Sequence, residues 1–151
     1  MEEMKDVIIS ITGTQRYSDV FDDSIELVTA GQYSFSNGEG RLTYMESELT
    51  GMEGTRTSFI VEPFGVTLQR EGRMNSRMVF EEGKKHHFLY ETPFGAATMG
   101  VDTRRINMRL GEDGGDMEID YSIDFDNAFV GRNKFIIKVR EQQRNDIKWQ
   151  I

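Results

Sequence analysis

The sequence predicts an all-β chain: a single antiparallel, mostly up-and-down sheet, closed or nearly closed into a β-barrel. Three observations carry that expectation. Apolar and polar residues alternate with period two along most of the chain, as they do in strands with one face buried and one face wet. The 15 Gly and 2 Pro interrupt that alternation at short intervals, which marks turns between sequential strands. No stretch keeps a helical period for more than about two turns. The 151 residues show no linker or shift of composition, so one barrel domain over 1–151 is expected, with the barrel at about 6–140 and a C-terminal tail at 141–151.

Each element follows from the same pattern. Val7, Ile9 and Ile11 alternate with Asp6, Ser10 and Thr12 as a first strand. Residues 24–35 form a second, with Ile25, Leu27, Thr29, Gly31 and Tyr33 on one face. Asn37-Gly38-Glu39-Gly40 supplies residues that tolerate positive φ, as a tight hairpin requires. Residues 41–47 return with Leu42, Tyr44 and Glu46 on one side. Residues 55–62 stop at Pro63-Phe64-Gly65, 66–70 at Gly72, 74–80 at Gly83, and 85–92 at Pro93-Phe94-Gly95. The two Pro-Phe-Gly strings are read as repeated turn chemistry. Ala97, Met99 and Val101 share one face, whereas Ile106, Met108 and Leu110 continue in the other parity. A β-bulge near Arg104-Arg105 accounts for that slip. After the turn at 112–115, Met117 to Phe125 give the cleanest alternation, and 133–140 form a last strand with Phe135, Ile137 and Val139 together. Pairing the first strand with the last would close such a meander and remove its edges.

Composition excludes several functions. There is no Cys, so disulfides and thiolate metal sites are excluded, which fits a reducing, cytoplasmic setting. The acidic start and short apolar run that follows lack the features of a signal peptide. No apolar stretch approaches the roughly 20 residues of a membrane-spanning helix. A net charge of −8 and a pI near 4.8 disfavour nucleic acid and anionic membranes as partners.

The residues that invite chemistry are polar ones on inward faces. Tyr44 and Glu46 share the face of Leu42, Arg70 that of Val66 and Leu68, Tyr90 and Thr92 that of Phe88, and Tyr121 that of Ile119 and Ile123. A barrel of this size holds side chains or one small ligand. An unpaired charge there costs several kcal/mol, so Glu46 and Arg70 are expected to meet each other or a ligand. The structural alternative is a satisfied polar network that fills the interior and binds nothing. His86 and His87 are neighbours on a strand, so they point to opposite faces and do not chelate one ion. No metal, haem or other cofactor is therefore expected. The alternating acids Asp116, Glu118, Asp120, Asp124 and Asp126 lie opposite the apolar face and read as a solvated exterior. The calcium loop, the phosphate-binding loop and the Gly-x-Ser-x-Gly elbow are all missing. No catalytic residue is assigned, although two facing carboxylates remain open as an acid–base pair.

Several short segments resemble the YwiB-like family of uncharacterised bacterial proteins. They are Tyr44-Met45-Glu46-Ser47, Leu68-Gln69-Arg70-Glu71-Gly72, Met78-Val79-Phe80 and Tyr90-Glu91-Thr92-Pro93-Phe94-Gly95, with Tyr121 and Asn133 beyond them. The resemblance covers about 6–140. It implies a calycin-like (lipocalin-like) β-barrel and brings no activity and no catalytic residues with it.

The leading expectation is a non-enzymatic barrel binding a small anionic or amphipathic ligand in its interior through Tyr44, Glu46, Arg70, Tyr90, Thr92 and Tyr121. The alternatives are a protein-interaction module with a packed interior and an enzyme with acid–base residues in the barrel mouth. In the tail, Ile147, Trp149 and Ile151 alternate as a strand would. That pattern points to docking on its own barrel or on a neighbour's, giving a homodimer through the tail. Trp149 is the one Trp, so blue-shifted, quencher-protected fluorescence is the expected result. Emission like that of free tryptophan in water would refute docking, and dependence on protein concentration would place it between chains.

Overall fold

Two-residue turns set the course of the chain. In a computed structural model, described over residues 4–18, 21–73, 75–92 and 95–142, strand β1 (Lys5–Ser18) is followed by β2 (Phe21–Ser36) and β3 (Glu39–Met45). Asn37 and Gly38, with φ of 55° and 79°, make the β2–β3 turn, the conformation whose twist matches that of the flanking strands. Next come β4 (Thr55–Glu62), β5 (Gly65–Gly72), β6 (Ser76–Phe80), β7 (Lys85–Thr92), β8 (Gly95–Gly111), β9 (Gly114–Phe125) and β10 (Ala128–Glu141). Asp126 and Asn127, at φ 48° and 69°, form another two-residue turn, so β10 starts at Ala128 rather than at residue 133 as the alternation suggested. Outside the strands, Glu48–Thr50 forms a single 3₁₀ turn, capped by Ser47 and ended by Gly51 at φ 75°. The expected docking of Trp149 lies outside the described residues.

The strands form one antiparallel sheet in the order β6-β5-β4-β3-β2-β1-β10-β9-β8-β7. Every neighbouring pair is a hairpin except β1 with β10, which runs in register from Val7 opposite Glu141 to Arg16 opposite Arg132. The first strand thus pairs with the last, as expected, but the edges do not vanish. They move to β6 and β7, and no ladder joins these two among the described residues. The turn between them is instead tied to β8. Gly83 N–H donates to the Thr103 carbonyl at 2.8 Å, and Thr103 N–H donates to the Lys84 carbonyl at 3.1 Å. The result is a nearly closed up-and-down barrel. The bulge expected near Arg104-Arg105 is present as a register shift between Thr103 and Arg105. Two others, between Arg16 and Ser18 and between Phe129 and Gly131, leave no break in the apolar alternation.

Inward residues of every strand except β7 supply the buried core, which includes Ile9, Tyr33, Leu42, Phe59, Leu68, Phe80, Val101, Ile119 and Ile137. Phe135 is the hub of its aromatic part. Its ring meets Tyr121 at 5.6 Å, Phe59 at 6.3 Å and Phe80 at 6.4 Å between centroids, distances at which rings gain beyond their buried area. On β2, Gly31 marks where β3 peels away: the last paired residues are Gln32 and Thr43, and Tyr44 rides over the bare Gly31 backbone. A Cβ at Gly31 would sit 2.6 Å from the Thr43 carbonyl oxygen and 3.2 Å from Tyr44 Cβ. Backbone cannot yield as a side-chain tip can, so Gly31→Ala should destabilise the fold by roughly 1–3 kcal/mol. Urea melts check this, and an unchanged midpoint would show that β3 is free to move outward.

Candidate functional site

The barrel interior changes from apolar to polar over one cross-strand step. Leu42, Phe59, Leu68 and Met78 face one another across β3, β4, β5 and β6, and all are buried. The next inward row is Tyr44, Thr57, Arg70 and Ser76. Thr57 is fully buried, and Tyr44 is 6% exposed. Arg70 is half-buried. Glu46, 6% exposed, lies one inward step beyond Tyr44, where its N–H donates to the Thr55 carbonyl at 2.8 Å. The chain then folds into the 3₁₀ turn, and Thr50 Oγ1 donates to Glu46 Oε2 at 3.0 Å. Tyr121 joins from β9, opposite the buried Thr103 of β8, with its ring 4.8 Å from that of Phe80.

This patch is incompletely satisfied. Glu46 Oε1, Thr57 Oγ1, Arg70 Nε and Thr103 Oγ1 are buried without a hydrogen-bond partner, and each such atom costs about 1–3 kcal/mol. Glu46 and Arg70 were expected to meet each other or one ligand; no ion pair joins them among the described residues. Register explains why. Glu46 stands one inward step along β3 from Tyr44, in line with Thr55, whereas Arg70 is two strands away in the row of Thr57. The two charges therefore stand at different levels of the interior. Burial pushes the Tyr44 phenol well above the usual tyrosine range, helped by the adjacent Glu46 carboxylate and opposed by Arg70. Burial does the same at Tyr121, again opposed by Arg70. One guanidinium charge thus acts on both phenols. Chemically, the patch offers a cation, a carboxylate oxygen open to a donor, and hydroxyl groups.

Of the six residues singled out in the sequence, Tyr44, Glu46, Arg70 and Tyr121 come together here. Tyr90 does not. It keeps the parity of Phe88 but pairs with Ala97, in the part of β8 that precedes its ladder with β9. It is 41% exposed there. The Thr92 side chain lies outside the described residues. Thr57 and Thr103 were missed because an inward threonine on an alternating strand gives no signal in the sequence. The acidic stripe of β9 is outward, as read, and is engaged by cations of neighbouring strands. Glu118 meets Lys134 at 2.8 Å, Asp116 meets Arg109 at 2.8 Å, and Asp124 meets Lys85. His86 Nε2 lies 3.0 Å from Glu81 Oε1. A cavity of about 870 Å³ is lined by Arg16, Thr103, Arg104, Tyr121 and Arg132, among others, and no local pattern of residues announces it.

Residues 9–137 match the model of a family described as a domain of unknown function, DUF1934. No curated protein matches the chain. Among solved structures it is similar to the ywiB protein from Bacillus subtilis, at 19% identity and a TM-score of 0.75, over 94% of this chain and 96% of that one. At that identity the likeness concerns the fold.

The phenols give a measurable signature. Tyr33 is pushed up to about 12 by burial, and its hydroxyl donates to the Gly111 carbonyl at 2.6 Å. Tyr44 and Tyr121 shift in the same direction. A phenol harder to ionise when folded contributes stability below its unfolded pKa of about 10 and loses it as pH rises through the folded value. Ultraviolet titration of the five tyrosines should therefore show a fraction ionising only well above pH 10, together with alkaline unfolding. A single transition near pH 10 with the fold intact would show that water reaches these phenols.

Proposed function

The chain belongs to the DUF1934 family, and from that premise we propose that its barrel binds a small anionic molecule in the polar part of its interior, without catalysing a reaction. The observation that carries this reading is a set of orphaned buried atoms, Thr57 Oγ1, Arg70 Nε and Thr103 Oγ1 on three strands and Glu46 Oε1 just past the end of β3. Left empty, the patch costs stability; a polar guest satisfies it. Arg70 holds the anionic group through charge-assisted hydrogen bonds, and Glu46 Oε1 accepts from a hydroxyl or ammonium group of the same molecule. Tyr44 and Tyr121 remain neutral hydroxyls at working pH, consistent with their raised pKa values, and so donate to the ligand without repelling it. The remainder of the guest lies against the aromatic residues around Phe135. This is the manner of a calycin-like carrier, and the absence of Cys suits a cytoplasmic one.

A second reading, an interaction module with a packed interior, draws on the ring contacts of Phe80, Tyr121 and Phe135 at 4.8–6.4 Å, which already fill the middle of the barrel. It predicts no guest.

Native mass spectrometry of freshly purified protein, with thermal shifts against small carboxylic acids, organic phosphates and fatty acids, separates the two. Anionic binding should disappear in Arg70→Met and survive or strengthen in Glu46→Gln, which keeps an acceptor and removes a like charge. If no acid shifts the melt, and Arg70→Met costs several kcal/mol that adding Glu46→Gln recovers, the patch is a structural network.

A further inference from the structure

Besides β6 and β7, β2 has an open edge. On one side β1 pairs with it from Tyr33 back to Phe21. On the other, β3 pairs with it only from Gln32 to Ser36. Among the described residues, no strand takes the place of β3 beside residues 23–31. Alternate residues of that stretch turn their backbone N–H and C=O groups toward this edge, a template for an added strand. The side chains fit the same description. Ile25 has the inward parity of Tyr33 and stands level with Gly13 of β1 and Phe135 of β10. It is nevertheless 69% exposed, and Leu27, packed against the core, is only half-buried.

Residues 143–151 carry the chemistry that matches this edge. Ile147, Trp149 and Ile151 alternate with Lys148 and Gln150. With Lys148 opposite Glu26, Ile147 and Trp149 fall on the face of Ile25 and Leu27, whichever way the added strand runs. Charge agrees. β2 carries Asp22, Asp23 and Glu26 and no basic residue, whereas the tail has Arg144 and Lys148 against one Asp. The open edge of β7 is a poorer match, because that strand carries Lys85, His86 and His87.

The tail that fits is not the chain's own. β10 and β2 run in the same direction, both antiparallel to β1. Gln142 N–H donates to the Asp6 carbonyl at 2.9 Å, and Asp6 is level with Gln32, so the chain leaves β10 heading away from residues 23–31. An added strand lies three strand spacings from β10, roughly 14 Å, and Leu27 lies five positions back from Gln32, roughly 17 Å. The straight path is therefore roughly 22 Å. The five residues from Gln142 to Ile147 extend to roughly 18 Å at most.

We propose that residues 143–151 of a second copy add to β2 along 23–31, with Ile147 and Trp149 over Ile25 and Leu27 and Lys148 beside Glu26. Main-chain hydrogen bonds supply the affinity and the side chains supply the register. Exchanged both ways, the contact is isologous and closes as a two-fold dimer. The interior site takes no part in it.

Sedimentation of the full chain over a concentration series, with Trp149 emission read on the same samples, tests the assignment. A dimer is expected, and the emission moves to the blue as it forms. Ile25→Lys should raise the dissociation constant at least about tenfold, and circular dichroism checks that this exposed position tolerates the change. Glu26→Lys and Lys148→Glu should each weaken the dimer about tenfold, each contact counting twice, and the two together should recover most of the loss. A chain that stays monomeric up to roughly 100 µM overturns the proposal, whether Trp149 is shielded or bathed in water. So does a dimer indifferent to Ile25→Lys, and so does one lost in Leu89→Lys, which would move the tail to β7. Failure of the charge exchange to restore the dimer overturns the pairing of Lys148 with Glu26.

Discussion

The ladder between β1 and β10 is the one pairing in the sheet that no turn enforces, and the rest of the architecture depends on it. Without it, the chain would fall into two meanders, β1 to β6 and β7 to β10. Bringing residues about 130 positions apart into register costs loop-closure entropy that a hairpin does not pay in the same measure. That cost is met where Val7, Ile9 and Ile11 meet Ile137 and Val139 in the core. Lys5 reinforces the end of this ladder, 3.2 Å from Glu141 and 3.8 Å from Asp113. The union wraps the sheet so that β9, from one meander, looks across the interior at β5, from the other. Tyr121 and Arg70 feel each other only for that reason. The same ladder sets Arg16 beside Arg132 on the outside.

The barrel tolerates polar atoms where its wall is thinnest in alternatives. In the middle, rings and branched chains fill the interior around Phe135. Toward the 3₁₀ turn, the inward side chains become Tyr44, Glu46, Thr57 and Arg70, and the chain crosses over them between β3 and β4. Buried charges need hydrogen-bond partners. Thr50 donates to one oxygen of Glu46; Glu46 Oε1, Thr57 Oγ1 and Arg70 Nε are buried without a hydrogen-bond partner. A polar patch that is only partly satisfied is a poor way to stabilise a core and a good way to receive a guest.

β9 separates two surfaces with opposite characters. Its inward residues Met117, Ile119 and Tyr121 belong to the core. Its outward residues Asp116, Glu118 and Asp120 tie β9 to Arg109 and Lys134. The cations of these pairs are exposed, so each pair contributes little stability. Their effect is on the charge landscape: they neutralise one stretch of the outer wall. A pleated strand places such different environments a few ångströms apart because successive side chains point to opposite faces.

Alternation along each strand determined which face is buried, because a one-residue slip would expose every apolar side chain at once. From that alone the strands, most of the turns, the bulge at Arg104-Arg105, and the inward placement of Tyr44, Glu46, Arg70 and Tyr121 were legible. Parity, however, fixes only a side and not a level. Tyr90 has the right parity and is exposed, and Glu46 and Arg70 share the interior without meeting. The Asp126-Asn127 turn was hidden because neither residue is Gly, although both adopt positive φ. The seam between β6 and β7 and the coincidence of three bulges were decided by tertiary structure. They depend on how far each strand extends past its neighbour, which is set by the β1–β10 register and by twist summed over ten strands, and no local pattern of residues records either.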